Sequence, residues 1–251
     1  MPIIETTGGP DSRVVVFVHG SPGDHRLWRR VAERAPADVM LAFVDLPDHG
    51  AGEDAPSSTY ADCENDVIEA ARRYGDRPTT LVGHSLGAYL VARVCAGLAD
   101  FVDRVVMISG FDELPGELAA GRAEFADAIE RGDLSAAAVK ELASKAFLGE
   151  NADPEVLELV DSWVSTGYPG RFVRSLRRAS QAATAEARVG PYDTRAIVIH
   201  ELRDPAVPFA LGERLARLGS RAEIVAIEGQ THLTPLIHDE EVARWIYDAR
   251  P

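Results

Sequence analysis

A formal charge of −14 over 251 residues argues against a nucleic-acid partner, because neutralising phosphates takes clustered Lys and Arg, and a net negative field repels polyanions. With 46% hydrophobic and 26% charged residues the chain has globular composition, and no apolar run reaches the roughly 20 residues that span a bilayer, so no membrane partner is expected. Met1 to Pro10 has no basic start followed by an apolar run, so it does not read as a secretory signal and the expected location is cytoplasmic.

Apolar, β-branched runs alternate with helical periodicity along the chain. Ile3 and Ile4 suggest a short edge strand, and Arg13 to His19 reads as the first long one. Trp28 to Ala35 has a helical pattern, Val39 to Val44 a strand pattern, and Tyr60 to Tyr74 is helical again. Thr79 to Gly83 reads as a strand, Leu86 to Gly97 as a helix and Arg104 to Ser109 as a strand. Near-continuous hydrophobicity in these runs predicts strands buried on both faces, as in a parallel sheet.

The alternation stops between Phe111 and Pro191. Leu114 to Arg131, Leu134 to Phe147, Pro154 to Thr166 and Pro169 to Ala187 read as helices, punctuated by Gly132, Gly149, Gly167 and Gly190. It resumes with strands at Arg195 to His200 and Ala222 to Ile227, and helices at Pro208 to Leu218 and Glu240 to Ala249. The expected fold is α/β: a doubly wound, mostly parallel sheet, residues 1–110 and 191–251, interrupted by a helical cap, residues 111–190. Inserted there, the cap would lie over the carboxyl ends of the strands, where open α/β sheets bind ligands. Cys63 and Cys95 lack CxxC spacing and read as reduced thiols.

Chemistry concentrates at Val82-Gly83-His84-Ser85-Leu86-Gly87-Ala88. Gly-x-Ser-x-Gly between a strand and a helix forces the serine into a strained turn with its hydroxyl exposed, and the flanking glycines keep bulk away. Ser85 is therefore the candidate nucleophile. Asp45-Leu46-Pro47-Asp48-His49-Gly50 superficially suggests a metal cluster, but no His-x-His-x-Asp ligand set is present, and neither metal nor cofactor is expected. The lack of a dinucleotide fingerprint argues against hydride transfer.

Together with His19-Gly20 ending an earlier strand and a late Asp and His, these features resemble the α/β-hydrolase superfamily over nearly the whole chain. The resemblance implies the chain order Ser, Asp, His for a catalytic triad. The acid is then Asp204, which follows the penultimate strand, with Asp112 as a rival. Glu201 stands where relatives commonly carry Gly. The base is His232 in Gly229-Gln230-Thr231-His232. Oxyanion donors are the N–H of Leu86 at the start of a helix and that of Ser21, because the next residue, Pro22, has none; the Ser21 hydroxyl is a further candidate donor. Gly20 and Trp28 are candidate substrate-binding residues. His84 is expected to pack beneath the turn, His19 to brace the oxyanion loop, and His25 and His238 have no evident role.

In the cap, Arg171, Arg174 and Arg178 recur at helical spacing. They admit two readings: an anion site for a carboxylate or phosphopantetheine thioester, or a solvated basic face opposite Phe172, Leu176 and Ala179, which the spacing favours. Phe125, Phe147, Trp163, Tyr168 and Phe172 read as cap core, one or two of them touching substrate.

The function expected is cofactor-independent hydrolysis of a small or medium ester, lactone or thioester through an acyl-enzyme, with a small-molecule acyl substrate as partner and a monomer or homodimer as the assembly. Alternatives using the same residues are a carbon–carbon bond hydrolase, a lyase or cyclase, and a ligand receptor.

Overall fold

The computed structural model describes residues 3–6, 8–9, 11–52, 54, 59–75, 77–149, 153–183 and 188–248. Its sheet runs in the order β1 (Ile3–Glu5), β3 (Val39–Val44), β2 (Arg13–Val18), β4 (Thr79–His84), β5 (Arg104–Ile108), β6 (Ala196–Glu201) and β7 (Ala222–Ile227). β1 pairs antiparallel with β3, and the remaining neighbours are parallel. Because side chains alternate along a strand, Val14, Val16 and Val18 enter one apolar cluster and Val15 and Phe17 the other. Burial on both faces holds for the inner strands but not for β7, whose Ile224 is 37% exposed. It lies at the sheet edge, so half of its surface has no neighbour to pack against.

Helices cover both faces. α2 (Tyr60–Arg72), α3 (Leu86–Val94) and α8 (Phe209–Leu218) contribute to the first cluster. α2 begins in a capping box in which Thr59 and Asp62 satisfy each other's backbone N–H groups. α1 (Arg29–Ala32), α9 (Thr234–Ile237) and α10 (Asp239–Tyr247) contribute to the second. The helix expected from Trp28 is a 3-10 turn, His25–Trp28, followed by the single turn of α1, because the Asp24 carboxylate accepts the Arg26 N–H and starts the turn earlier. α10 ends at Tyr247, and Ala249 lies outside the described residues.

Between β5 and β6 stand four helices: α4 (Gly116–Glu130), α5 (Ala136–Leu148), α6 (Pro154–Ser165) and α7 (Gly170–Ser180). α7 ends earlier than its periodicity suggested and passes into a 3-10 turn, Gln181–Ala183; residues 184–187 lie outside the described residues. Val139, Val156, Trp163 and Phe172 from this cap share a cluster with Phe17, Val82 and Ile199 of the sheet, so cap and core bury one another. Among the described residues no helix is long and apolar enough to cross a membrane.

The arginines of α7 fasten this cap to the core. Arg174 donates to Asp48 Oδ1 through Nε (3.0 Å) and Nη2 (2.7 Å), and Arg178 Nη2 donates to Asp48 Oδ2 at 2.8 Å. Arg178 also donates to the Pro47 carbonyl, and Arg171 to that of Gly52. The basic face is therefore neither solvated nor free to take a substrate anion. It grips the loop after β3, whose buried carboxylate no local pattern revealed. α1 provides a second fastening, through Arg30 to Asp153 (2.9 Å) and Glu155 (2.7 Å) at the start of α6.

Candidate active site

Ser85 sits between β4 and α3 with φ 52° and ψ −114°, a backbone conformation that costs an L-residue ~1–3 kcal/mol and persists only where the surroundings enforce it. Its N–H donates to the Ile108 carbonyl at 2.8 Å, and its own carbonyl accepts from Tyr89 N–H at 3.0 Å. The flanking glycines are required by close approach: a Cβ on Gly83 would overlap the Gly87 carbonyl, and one on Gly87 the Val18 carbonyl. Gly20 serves the same purpose from the facing loop, since a Cβ there would lie 2.8 Å from both Ser85 Cβ and His84 Nδ1.

Asp204, in the turn after β6, accepts the Ala206 and Val207 N–H groups on Oδ1, each at 2.9 Å, and faces His232 Nδ1 with Oδ2 at 2.8 Å. A carboxylate accepts only, so Nδ1 carries the imidazole proton and Nε2 is left as a base. Burial pulls the Asp204 carboxyl upward, but the facing His232, His200 and the backbone donor outweigh it and hold the group below its ordinary range. Asp112, the rival acid, is instead ion-paired with Arg214 at 2.8 Å and lines a separate surface pocket with Arg188 and Arg217.

His232 is held through its backbone. Its N–H donates to the Phe147 carbonyl at 2.7 Å, and its carbonyl accepts from His84 Nε2 at 2.7 Å. The Phe147 carbonyl, at the end of α5, also accepts the Thr231 hydroxyl at 2.9 Å. A Cβ on the next glycine of that turn, Gly149, would overlap the Gln230 carbonyl. Burial pushes His84 down to about 3, keeping it neutral. It packs under the elbow as expected and also holds the His232 main chain. Glu201 is wholly buried, and its carboxylate accepts the Thr231 N–H at 2.7 Å; the residue that departs from the common glycine supports the His232 loop. Burial raises its pKa.

Other histidines wire turns around this centre. His19 Nδ1 donates to the Gly20 carbonyl (2.9 Å) while Nε2 accepts the Leu46 N–H (3.1 Å), bracing the loop that carries Ser21. His25 and His238, without evident role in the sequence, have partners: His25 Nδ1 lies 2.8 Å from Asp45 Oδ2, and His238 Nε2 lies 3.7 Å from Glu201. Asp45 also accepts from the His25 and Ala51 backbone, which makes its segment a hydrogen-bonded turn. Among the described residues no group of three or more His, Cys, Asp or Glu is placed to hold a metal.

A small cavity of about 30 Å³ is lined by Ser85, His232, Leu86, Ser21, Phe111, Phe147, Leu176, Ala179 and Arg122. The Ser21 hydroxyl is buried without a hydrogen-bond partner. Phe147, Leu176 and Arg122 also line an apolar cleft of about 360 Å³ between cap helices, with Phe125 and Phe172 farther along it. Trp28, by contrast, is no pocket wall. It is fully buried, its ring 4.9 Å from Phe17 and edge-on to His84 at 6.5 Å, because its turn faces the sheet. Leu27 lines a second small cavity beside His232 with Trp163. Sequence reasoning missed Arg122 and the Phe147 carbonyl, and neither carries a local signal, since each gains its place through packing of the cap.

A strained serine at a strand-to-helix elbow, with a hydrogen-bonded His–Asp pair on neighbouring strand ends of a parallel sheet, defines an α/β-fold hydrolase. The chain belongs to the alpha/beta hydrolase family, whose model matches residues 15–245. It is similar to a pimeloyl-(acyl-carrier protein) methyl ester esterase of Neisseria meningitidis, 24% identical over 93% of this chain and 92% of that protein. A 2-succinyl-6-hydroxy-2,4-cyclohexadiene-1-carboxylate synthase of Citrobacter koseri is 33% identical, over 43% of this chain and 37% of that protein's length. Among solved structures, a thermophilic esterase from Thermogutta terrifontis superposes with a TM-score of 0.81 at 19% identity, over 98% of this chain and 90% of that one.

Proposed function

We propose that the protein hydrolyses a small or medium carboxylic ester or thioester through an acyl-enzyme. The observation that carries this reading is the 2.8 Å contact between His232 Nδ1 and Asp204, with His232 and Ser85 in the wall of one cavity. Ser85 Oγ attacks the carbonyl carbon as His232 Nε2 takes its proton, and Asp204 stabilises the imidazolium. The N–H groups of Leu86 and Ser21 receive the oxyanion. His232 then protonates the leaving alcohol or thiol and activates the water that releases the acid. The full-length similarity to a methyl ester esterase supports this reading.

Intact mass after fluorophosphonate treatment, with hydrolysis of nitrophenyl acetate, butyrate and octanoate, tests it. One adduct on the wild type and none on Ser85→Ala, together with ester turnover, is the expected result. Absence of both adduct and turnover overturns it. The partial match to a synthase supports a second reading, a lyase using the same residues, for which turnover would proceed without a trapped acyl-enzyme.

A further inference from the structure

Most arginines near the cap meet a carboxylate: Arg30, Arg174, Arg177, Arg178 and Arg214 all do. Arg122 does not. It lies in α4, in the wall of the cavity that holds Ser85 and His232 and equally in the wall of the apolar cleft, at the point where the two adjoin. No hydrogen bond or salt bridge joins it to any of the described residues. Burial depresses its pKa, with Tyr60 and Asp204 pulling the other way. A half-buried guanidinium in the wall beside a nucleophile, without a carboxylate partner among the described residues, is placed to receive an anion entering the cavity.

We infer that Arg122 binds a carboxylate of the substrate, so that the protein selects esters carrying one negative charge a short chain from the scissile carbonyl. This rests on the reading of Ser85 as nucleophile in that cavity. A single planar guanidinium matches a single carboxylate with two parallel hydrogen bonds. The apolar remainder of the substrate extends into the cleft past Phe147 and Leu176 towards Phe125. Glu117, in the same cleft, disfavours a second anion there.

The test compares kcat/KM for the nitrophenyl half-ester of glutaric acid with that for nitrophenyl valerate, the same chain without its carboxylate, in wild type, Arg122→Gln and Arg122→Lys. Taking the ratio within each protein removes any general loss of folded enzyme. Wild type should favour the half-ester, and the ratio should fall about 30-fold in Arg122→Gln, as expected for a lost charge-assisted hydrogen bond, with Arg122→Lys between. A ratio in Arg122→Gln within about threefold of wild type overturns the inference, because a charged-group contact is worth more than that. If neither ester turns over and no fluorophosphonate adduct forms, the hydrolase reading fails, and binding decides the matter separately. Titration of Ser85→Ala with monomethyl glutarate and methyl valerate should then show the half-ester binding at least about tenfold tighter, a preference lost in Ser85→Ala/Arg122→Gln. Equal affinities for the two would overturn it.

Discussion

The floor and the roof of the catalytic cavity are built on different principles. The floor comes from loops at the carboxyl ends of β2, β4, β5, β6 and β7, and hydrogen bonds fix Ser85's partners there: the Asp204 carboxylate accepts two backbone N–H groups, and the His232 main chain is held by the Phe147 carbonyl and by the His84 ring. Two non-glycine residues with positive φ, Ser85 and Ser109, lie at adjoining strand ends of this floor. The roof, from α4, α5 and α7, presents Phe147, Leu176, Ala179 and Arg122, side chains placed by helix packing. The site is thereby held mainly by the core, with the cap entering through the Phe147 main chain, while the roof's side chains can change without breaking those hydrogen bonds.

The comparison is broken most severely at the floor. Ser85→Ala, His232→Ala and Asp204→Asn should each lower kcat by about 10³- to 10⁶-fold with thermal unfolding little changed, whereas Phe125→Ala in the cleft should act mainly on KM. A roof variant as costly in kcat would show that the two regions are not separable. The next largest effect concerns the fastening. Asp48→Ala leaves Arg174 and Arg178 without their shared buried carboxylate and should cost about 3–5 kcal/mol in urea unfolding. A loss within experimental error would mean that apolar packing alone seats the cap.

The same contrast explains what could be read in advance. Strands and elbow are local: β-branched runs declare a buried strand, and Gly83 and Gly87 are dictated by carbonyls that every such turn brings close. Asp204 and His232 were legible only through the resemblance to the α/β-hydrolase superfamily, which assigns the positions after β6 and β7. The role of Arg174 and Arg178 was not legible, because helical spacing fixes which residues share a face but not what faces them, and Asp48 is far away in sequence. Trp28 was misplaced for the converse reason: position after the oxyanion loop says nothing about which way a 3-10 turn aims its ring. Arg122 carries no local mark at all.

Ser21 belongs to the floor by position, and its hydroxyl is buried there without a hydrogen-bond partner. If the hydroxyl supplements the backbone N–H toward the oxyanion, Ser21→Ala should reduce kcat about 10²-fold with KM nearly constant. A loss of about twofold or less, well under what removing a working donor costs, would leave the backbone N–H as the only contribution of this residue.

Acid should act on the core before it acts on the cap. Residues 111–190 contain no histidine, whereas His19, His49, His84 and His200 are all buried in the core. Burial lowers the pKa of each, to about 3 for His49 and His84. In the unfolded chain they protonate near 6.5, so below that pH the unfolded state binds more protons than the folded one. The stability these neutral imidazoles contribute is complete above about pH 6.5 and declines as pH falls towards their folded values, by about 1.4 kcal/mol per pH unit for His49 and for His84. Asp45, held at about 2 mainly against burial by His25 and backbone donors, adds to the decline only below about pH 4, where an unfolded aspartate protonates. Urea unfolding between pH 7.5 and 5 should show the slope directly, and His84→Gln, which keeps a donor near the His232 carbonyl, should make it shallower by about 1.4 kcal/mol per unit. An unchanged slope would mean that His84 accepts a proton in the folded protein. The floor beneath Ser85 would then hold its shape by hydrogen bonding to a charged ring, and the division between a fixed floor and an adaptable roof would itself depend on pH.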